Sequence, residues 1–127
     1  MSSPDILIVD DDPDMVETLE LVLCADGYSC RTASNGAEAL DMAAAKRPGL
    51  VLLDMLMPVM NGWDCAHELR QRYGRTVPIV VVTASEHAGK RAAEADADDV
   101  LPKPFDIDEL RRIVARHLDH KRDRATG

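Results

Sequence analysis

The sequence predicts an α/β fold in which a five-stranded parallel sheet carries helices on both faces, a doubly wound (βα)5 arrangement. The first observation is a set of short apolar runs rich in β-branched residues, at positions 6–9, 50–53, 79–82 and 100–101. Such runs are typical of strands buried on both faces, which is the pattern of a parallel sheet. The second observation is that helical apolar patterns alternate with these runs along the chain, as βα units require.

The first helix is predicted directly after the first strand. Asp12 can cap its N-terminus. Pro13 suits the first helical position because an N–H at that position would have no acceptor within the helix. Residues at helical spacing then form one apolar face, namely Met15, Val16, Leu19, Val22 and Leu23. Gly27 is expected to end this helix, and residues 28–33 are predicted as the second strand.

Polar residues that can cap a helix N-terminus precede each of the other helical patterns. These residues are Asn35, Asn61, Ser85 and Asp106. After Asn35 and after Asp106, a glutamate follows three residues later, which is the spacing of a capping box. The predicted helices cover about residues 36–46, 63–73, 86–95 and 107–118.

Composition and charge narrow the class of protein. At 127 residues and 46% hydrophobic content, the chain has the size and composition of one globular domain. The formal net charge of −8 argues against a surface for nucleic acid or an anionic membrane, since either needs clustered Lys and Arg. No stretch approaches the roughly 20 apolar residues that span a bilayer, and the N-terminus lacks the features of a signal peptide. We therefore expect a cytoplasmic protein without nucleic-acid or membrane partners.

The cysteines and histidines offer no convincing metal or redox motif. Cys24, Cys30 and Cys65 share no metal-ligand or redox spacing, so we expect small buried hydrophobic residues in a reducing compartment. His117 and His120 could face one metal ion from a helix, but no third ligand lies nearby in the sequence. A solvated helix end is the preferred interpretation of that pair.

Chemically active side chains follow the C-terminal ends of the predicted strands. Asp10 and Asp11 follow the first strand, Asp54 the third, Thr83 the fourth and Lys103 the fifth. The carboxyl ends of parallel strands meet at one edge of an open sheet, and ligands bind at that edge. We therefore expect three acids, a hydroxyl and an ammonium group to converge there.

The mutual repulsion of three converging carboxylates must be offset. Like charges about 4 Å apart repel by about 4 kcal/mol at an effective dielectric constant of about 20. Either a raised carboxyl pKa or a bound cation can offset this repulsion. Hard carboxylate oxygens with open water positions suit Mg²⁺, which keeps several waters and uses only one or two protein carboxylates.

The same residues carry a resemblance to a known family. The motifs are Val9-Asp10-Asp11, Leu53-Asp54 with Met57-Pro58 and Asn61-Gly62, Thr83-Ala84, and Lys103-Pro104-Phe105. In this order, over residues 6–118, they resemble the receiver domain of two-component response regulators. The resemblance implies a flavodoxin-like fold with strand order 2-1-3-4-5. It also implies a phosphorylation-activated signalling switch rather than an enzyme, one that assists only its own phosphorylation and dephosphorylation.

The resemblance assigns a role to each acid. Asp54 is the phosphoacceptor, which takes a phosphoryl group from a sensor histidine kinase or a histidine phosphotransfer protein. Asp11 and Asp54 bind Mg²⁺ directly, and Mn²⁺ is an alternative ion. The Leu56 backbone carbonyl supplies a further ligand, and Asp10 holds a metal-bound water.

One polar group and one basic group complete the implied site. Thr83 offers a hydroxyl donor to one phosphoryl oxygen, and Lys103 places a positive charge beside another. Receivers usually have a cis peptide bond before the proline that corresponds to Pro104. The downstream partner is not defined by the sequence, and a monomer or weak dimer is expected.

Two other functions fit parts of the pattern. An aspartate at a strand end is also the nucleophile of haloacid-dehalogenase-type phosphatases, which place a second acid two residues later to protonate the leaving group. That position is Leu56 here, so turnover of a phosphate ester is not expected. The other alternative is a degenerate receiver that serves only as a binding scaffold, although every residue needed for phosphorylation is present.

Three positions depart from the usual receiver pattern. The residues two after the phosphoacceptor and two after the threonine help to orient the hydrolytic water in receivers; here they are Leu56 and Ser85, so we predict slow self-dephosphorylation. Val100 replaces the usual Tyr or Phe that rotates inward, and a β-branched side chain lacks that reach. We predict that the signal passes instead by a backbone shift of residues 83–95. The alternative is that Val100 is simply core and this face has no output.

The domain boundaries are the last expectation. Residues 1–120 are predicted to form the receiver domain, and residues 121–127 a disordered C-terminal tail. Because no effector domain follows, the chain is expected to be either a stand-alone receiver or one cut from a larger protein.

Overall fold

The computed structural model describes residues 5–54, 62–74, 76–84, 86, 90, 93 and 96–126. The elements within these residues are, in chain order, β1 (Asp5–Val9), α1 (Pro13–Ala25), β2 (Ser29–Ala33), α2 (Gly36–Ala45), β3 (Leu50–Asp54), α3 (Gly62–Tyr73), β4 (Ile79–Ala84), β5 (Asp99–Lys103) and α4 (Ile107–Thr126). Most of the helix predicted over 85–95 and the predicted Asn61 cap lie outside the described residues.

The strands form one parallel sheet in the order β2-β1-β3-β4-β5, which confirms the predicted topology. β1 and β3 are buried along their whole length because helices cover both of their faces. The edge strands β2 and β5 are more exposed. Pro102 lies in the edge strand β5, where its missing N–H removes a hydrogen-bond donor at least cost to the sheet.

Two hydrophobic layers hold the helices on the sheet. On one face, α1 and α4 pack on alternate strand residues through Leu19, Leu23, Leu110, Val114 and Leu118. On the other face, α2 and α3 pack on the intervening strand residues through Ala39, Leu40, Ala43, Cys65, Ala66 and Leu69. The small side chains of α2 match the scarcity of aromatic residues in the sequence, because they let this helix approach the sheet closely.

The predicted helix starts are confirmed where they are described. The Asp12 carboxylate accepts the Asp14 N–H at 3.0 Å, and Pro13 begins α1. Asn35 accepts the Glu38 N–H at 2.8 Å. The Glu38 carboxylate accepts from the Ser34 hydroxyl instead of closing a capping box. At the start of α4, the Asp106 carboxylate accepts the Glu109 N–H at 2.8 Å.

Gly27 ends α1 as predicted, through a Schellman turn. Its φ of +97° lies in the region that glycine adopts without steric cost. The Gly27 and Tyr28 N–H groups donate to the carbonyls of Cys24 and Leu23, at 3.0 and 3.1 Å. The chain therefore reverses within a few residues and leads directly into β2.

Ion pairs stabilise two further connections that the sequence did not predict. Asp5 is buried at the start of β1, and Arg31 Nε donates to its carboxylate at 3.0 Å. Arg70 of α3 donates to the Asp98 carboxylate at 2.6 Å, and the same carboxylate oxygen accepts the Ile79 N–H at 2.8 Å. Arg70 thus holds the turn before β5 against the start of β4.

Some expectations differ from the structure. Cys24 is exposed and Cys30 half-buried, so only Cys65 is the buried hydrophobic residue that was predicted. His117 contacts the Asp99 carboxylate at 3.2 Å rather than extending into solvent. The backbone of residues 121–126 continues α4, which differs from the predicted disordered tail, and the Lys, Arg and Ala residues there are strong helix formers. The domain boundary at residue 120 itself stays a prediction.

Among the described residues, none of the helices has the length and apolar character that a membrane crossing demands.

Candidate functional site

The sheet register brings the predicted acids to one edge. Val9 of β1 pairs with Leu53 of β3, so Asp10 and Asp54 follow side by side as the two strands end. Asp54 in turn pairs with Val82 of β4, which places Thr83 one residue further along the same edge. The predicted convergence is therefore present, and it follows from strand order and register alone.

Three carboxylates form a compact group at this edge. The carboxylate oxygens of Asp10, Asp11 and Asp54 lie within 4.8 Å of one another. Asp10 and Asp54 are buried, at 4% and 7% exposure, whereas Asp11 is exposed. The Asp12 N–H donates to Asp10 Oδ1 at 2.9 Å and so fixes the direction of that carboxylate. The group is buried at Asp10 and Asp54 and open to water at Asp11.

Lys103 and Thr83 border the carboxylates. Lys103 Nζ lies 3.9 Å from Asp54 Oδ1, an ion pair beyond hydrogen-bonding distance. The lysine leads into a cis peptide bond with Pro104, as the resemblance implied. Thr83 is buried, with 5% of its surface exposed, and pairs with Pro102 of β5. Asp10, Asp11, Asp54, Thr83 and Lys103 therefore lie at this one edge.

The donor set suits a divalent cation. The three carboxylates and one ammonium group sum to a formal charge of −2 within a small volume. Hard oxygen donors with one solvent-exposed member match the preference of Mg²⁺ for carboxylates together with retained waters. Among the described residues, this is the one group of three or more acid, histidine or cysteine side chains close enough to hold a metal ion.

The structure describes only some of the other predicted positions. Leu56 and Ser85 lie outside the described residues. Val100 is half-buried and packs against the α2–α3 face of the core. The position carries no aromatic ring that could rotate.

The structure has a groove beside Lys103 that was not predicted from the sequence. It has a volume of about 540 Å³, lies between the start of α1 and the loop after β5, and is mainly apolar. The lining residues include Met15, Thr18, Lys103, Phe105 and Ile107. Ile107 is 46% exposed, which is unusual for a large apolar side chain. Only the apolar residues that follow the Lys-Pro motif could have signalled this surface in the sequence.

The fold and the acidic edge together define a class of protein, the phosphoacceptor signalling domains. The sequence model of the response regulator receiver domain matches residues 6–115, and the chain belongs to this family.

Curated relatives give the same assignment. The chain is 45% identical over 107 residues to response regulator MprA of Mycobacterium avium, an alignment that covers 83% of this chain. A protein of the same name from Mycolicibacterium vanbaalenii is equally similar. The alignments cover 46% of those proteins, so the chain spans about half the length of the curated relatives it matches.

Solved structures share the fold. A putative response regulator from Chloroflexus aurantiacus has a TM-score of 0.86 and 37% sequence identity, covering 93% of this chain and 99% of that one. Response regulator TrrA from Thermotoga maritima, solved in complex with Mg²⁺ and BeF, has a TM-score of 0.82 and 35% identity over 91% of this chain and 99% of that one.

Family membership establishes the general activity. Receiver domains act as phosphorylation switches in two-component signalling, and these phosphoacceptors are generally not classed as enzymes. Response regulators receive the phosphoryl group from histidine kinases, and receiver domains bind Mg²⁺ in an acidic pocket.

Proposed function

We propose that this chain is a phosphorylation switch in which Asp54 accepts the phosphoryl group and Asp10, Asp11 and Asp54 hold Mg²⁺. The observation that supports this most directly is the approach of three carboxylates to within 4.8 Å beside Lys103. The proposed donor is a histidine kinase or a histidine phosphotransfer protein. The phosphorylated state would change a partner-binding face, and Leu56 would add a backbone carbonyl to the metal ligands.

The chemistry of the site follows from charge. A carboxylate is a weak nucleophile, and during its attack it is repelled by the negative oxygens of the phosphoryl donor. A bound Mg²⁺ would neutralise the charge on those oxygens. The exposed Asp11 and one oxygen of Asp54 would bind the ion, and Asp10, held by the Asp12 N–H, would hold a metal-bound water, which leaves the other oxygen of Asp54 to act as the nucleophile.

Lys103 and Thr83 would stabilise the product. Lys103 Nζ is 3.9 Å from Asp54 Oδ1. Its flexible side chain can therefore bring a positive charge to an oxygen of a phosphoryl group added to Asp54. The Thr83 hydroxyl can donate to a second oxygen. We propose that Thr83 moves toward the phosphoryl group and thereby transmits its presence to β4.

A small acyl phosphate with Mg²⁺ tests the proposal. Intact-mass measurement should find one added phosphoryl group on the wild type and none on Asp54→Asn. Asp41→Asn is a matched control, because Asp41 is exposed on α2, and it should be labelled like the wild type. Chelation of Mg²⁺ should abolish labelling of the wild type and of Asp41→Asn. Labelling that persists on Asp54→Asn would contradict the assignment of the phosphoacceptor.

A further inference from the structure

The thiols of Cys24 and Cys30 form a pair away from the acidic site. Cys24 lies in the last turn of α1 and is exposed, whereas Cys30 lies in β2 and is half-buried. The register pairs Cys30 with Ile6, near the N-terminal edge of the sheet. The acids follow the opposite, C-terminal edge, so the thiol pair does not belong to the phosphoacceptor site.

Local geometry brings the two thiols together. The Schellman turn at Gly27 reverses the chain between them, and both of its hydrogen bonds are formed. Cys30 packs on the face of the sheet that α1 covers, so its side chain points toward the helix. Cys24, in the last turn of that helix, is close enough to act on the Cys30 thiol and raises its pKa. The fold thus holds two cysteines side by side across a short, well-ordered turn.

The surroundings give the two thiols different reactivity. Burial raises the pKa of Cys30 to about 12, and the adjacent Cys24 thiol and Glu20 carboxylate act in the same direction. Cys30 is therefore a neutral thiol at pH 7 and a poor first nucleophile. Cys24 is exposed and can meet an oxidant from solution.

We propose that Cys24 and Cys30 form a reversible intramolecular disulfide by exchange with a low-molecular-weight disulfide. The Cys24 thiolate attacks one sulfur of the oxidant, which gives a mixed disulfide and releases one thiolate. Cys30 then loses its proton to water and attacks the Cys24 sulfur, which releases the second thiolate. Two protein thiols are oxidised, and one small disulfide is reduced to two thiols.

The bond would fasten the last turn of α1 to β2. Closing the ring of residues 24–30 removes conformations from the unfolded chain and so stabilises the native state. No step involves Asp54 or a metal ion, so the disulfide does not rest on the proposed function and can be tested without it.

Incubation of the reduced chain with oxidised glutathione, followed by intact-mass measurement, tests the exchange. The wild type should lose the mass of two hydrogens and recover it with dithiothreitol. Cys24→Ser should keep its mass, whereas Cys30→Ser should retain a glutathione adduct because the second thiol is missing. Cys65→Ala, the matched control, should form the disulfide like the wild type. A lasting adduct on the wild type, or a dimer linked through Cys24, would overturn the proposal.

Peptide mapping locates the bond. No Lys or Arg precedes Arg31, so trypsin leaves both cysteines in the peptide 1–31. Cleavage at Asp26 by a second protease separates them, and the two fragments should stay joined until reduction. Oxidation should also raise the melting temperature by roughly 5 °C. An unchanged or lower melting temperature would refute the claim that the native fold holds these thiols in bonding position.

Discussion

Lys103 is the positively charged residue nearest to Asp54 among the described ion pairs, and its role can be separated from folding because its side chain is one-third exposed. Lys103→Ala should slow phosphorylation by a small acyl phosphate roughly ten- to a hundredfold, since a charge beside the transferred group is lost. Labelling over time, followed on a phosphate-affinity gel, measures this rate. Lys90→Ala removes an exposed lysine outside the site and should leave the rate unchanged. Equal rates for the two variants would exclude Lys103 from the phosphoryl site.

Leu56 governs the predicted lifetime of the phosphorylated state. An apolar side chain two residues after the phosphoacceptor should exclude the hydrolytic water, so the acyl phosphate of the wild type should decay slowly. Leu56→Asn offers the water a hydrogen-bonding partner and should speed the decay roughly tenfold. The decay rate is measured as the loss of phosphoryl label after the donor is removed. Decay that is unchanged or slower in Leu56→Asn would refute the exclusion of water by Leu56.

At the scale of an element, the start of α4 depends on one side-chain bond. The Asp106 carboxylate accepts the Glu109 N–H at 2.8 Å, and α4 buries Leu110 and Val114 directly after it. Asp106→Ala should lower the free energy of unfolding by about 1 kcal/mol, as loss of an N-cap does elsewhere. Urea unfolding measures the change. Asp106→Asn keeps the acceptor oxygen and should stay close to the wild type; equal destabilisation by both variants would show that charge, not capping, matters.

The predicted switch belongs to the segment after β4. Val100 is half-buried and has no ring to rotate, so the signal from Thr83 should pass through the backbone of residues 84–95. Amide chemical shifts measured on addition of beryllofluoride and Mg²⁺ should change through that segment. Changes confined to the acidic edge would favour the alternative, in which Val100 is simply core and this face carries no output.

At the scale of the whole molecule, a buried thiol makes stability depend on alkaline pH. Burial raises the pKa of Cys65 from 9.0 to about 12, so above pH 9 the unfolded chain loses this proton while the native chain keeps it. The free energy of unfolding should therefore fall as the pH rises from 9 toward 12, with Cys65 contributing about 1.4 kcal/mol per pH unit at most. Urea unfolding at several pH values measures the slope. Cys65→Ala should make it shallower without abolishing it, because the pKa of Cys30 is also raised to about 12; a slope as steep in Cys65→Ala as in the wild type would contradict the assignment.

The sequence by itself determined the strands, the described helix starts and the residues of the acidic edge. Apolar runs define strands wherever both faces are buried, and capping residues act within one turn of the helix they start, so Asp12, Asn35 and Asp106 could be identified locally. Asp10, Asp54, Thr83 and Lys103 were found because position at a strand end already implies position at one edge of a parallel sheet.

Only the tertiary structure decided which distant side chains meet. Residues on different elements meet in the Asp5–Arg31 and Arg70–Asp98 pairs, in the groove at Phe105 and where the last turn of α1 lies over Cys30. No spacing in the sequence encodes these contacts. The Asp5–Arg31 pair depends on the register of two neighbouring strands, and the others depend on how each helix is rotated against the sheet. That rotation is set by the packing of whole apolar faces, such as Leu19 and Leu23 of α1 against the strands, and not by any local signal.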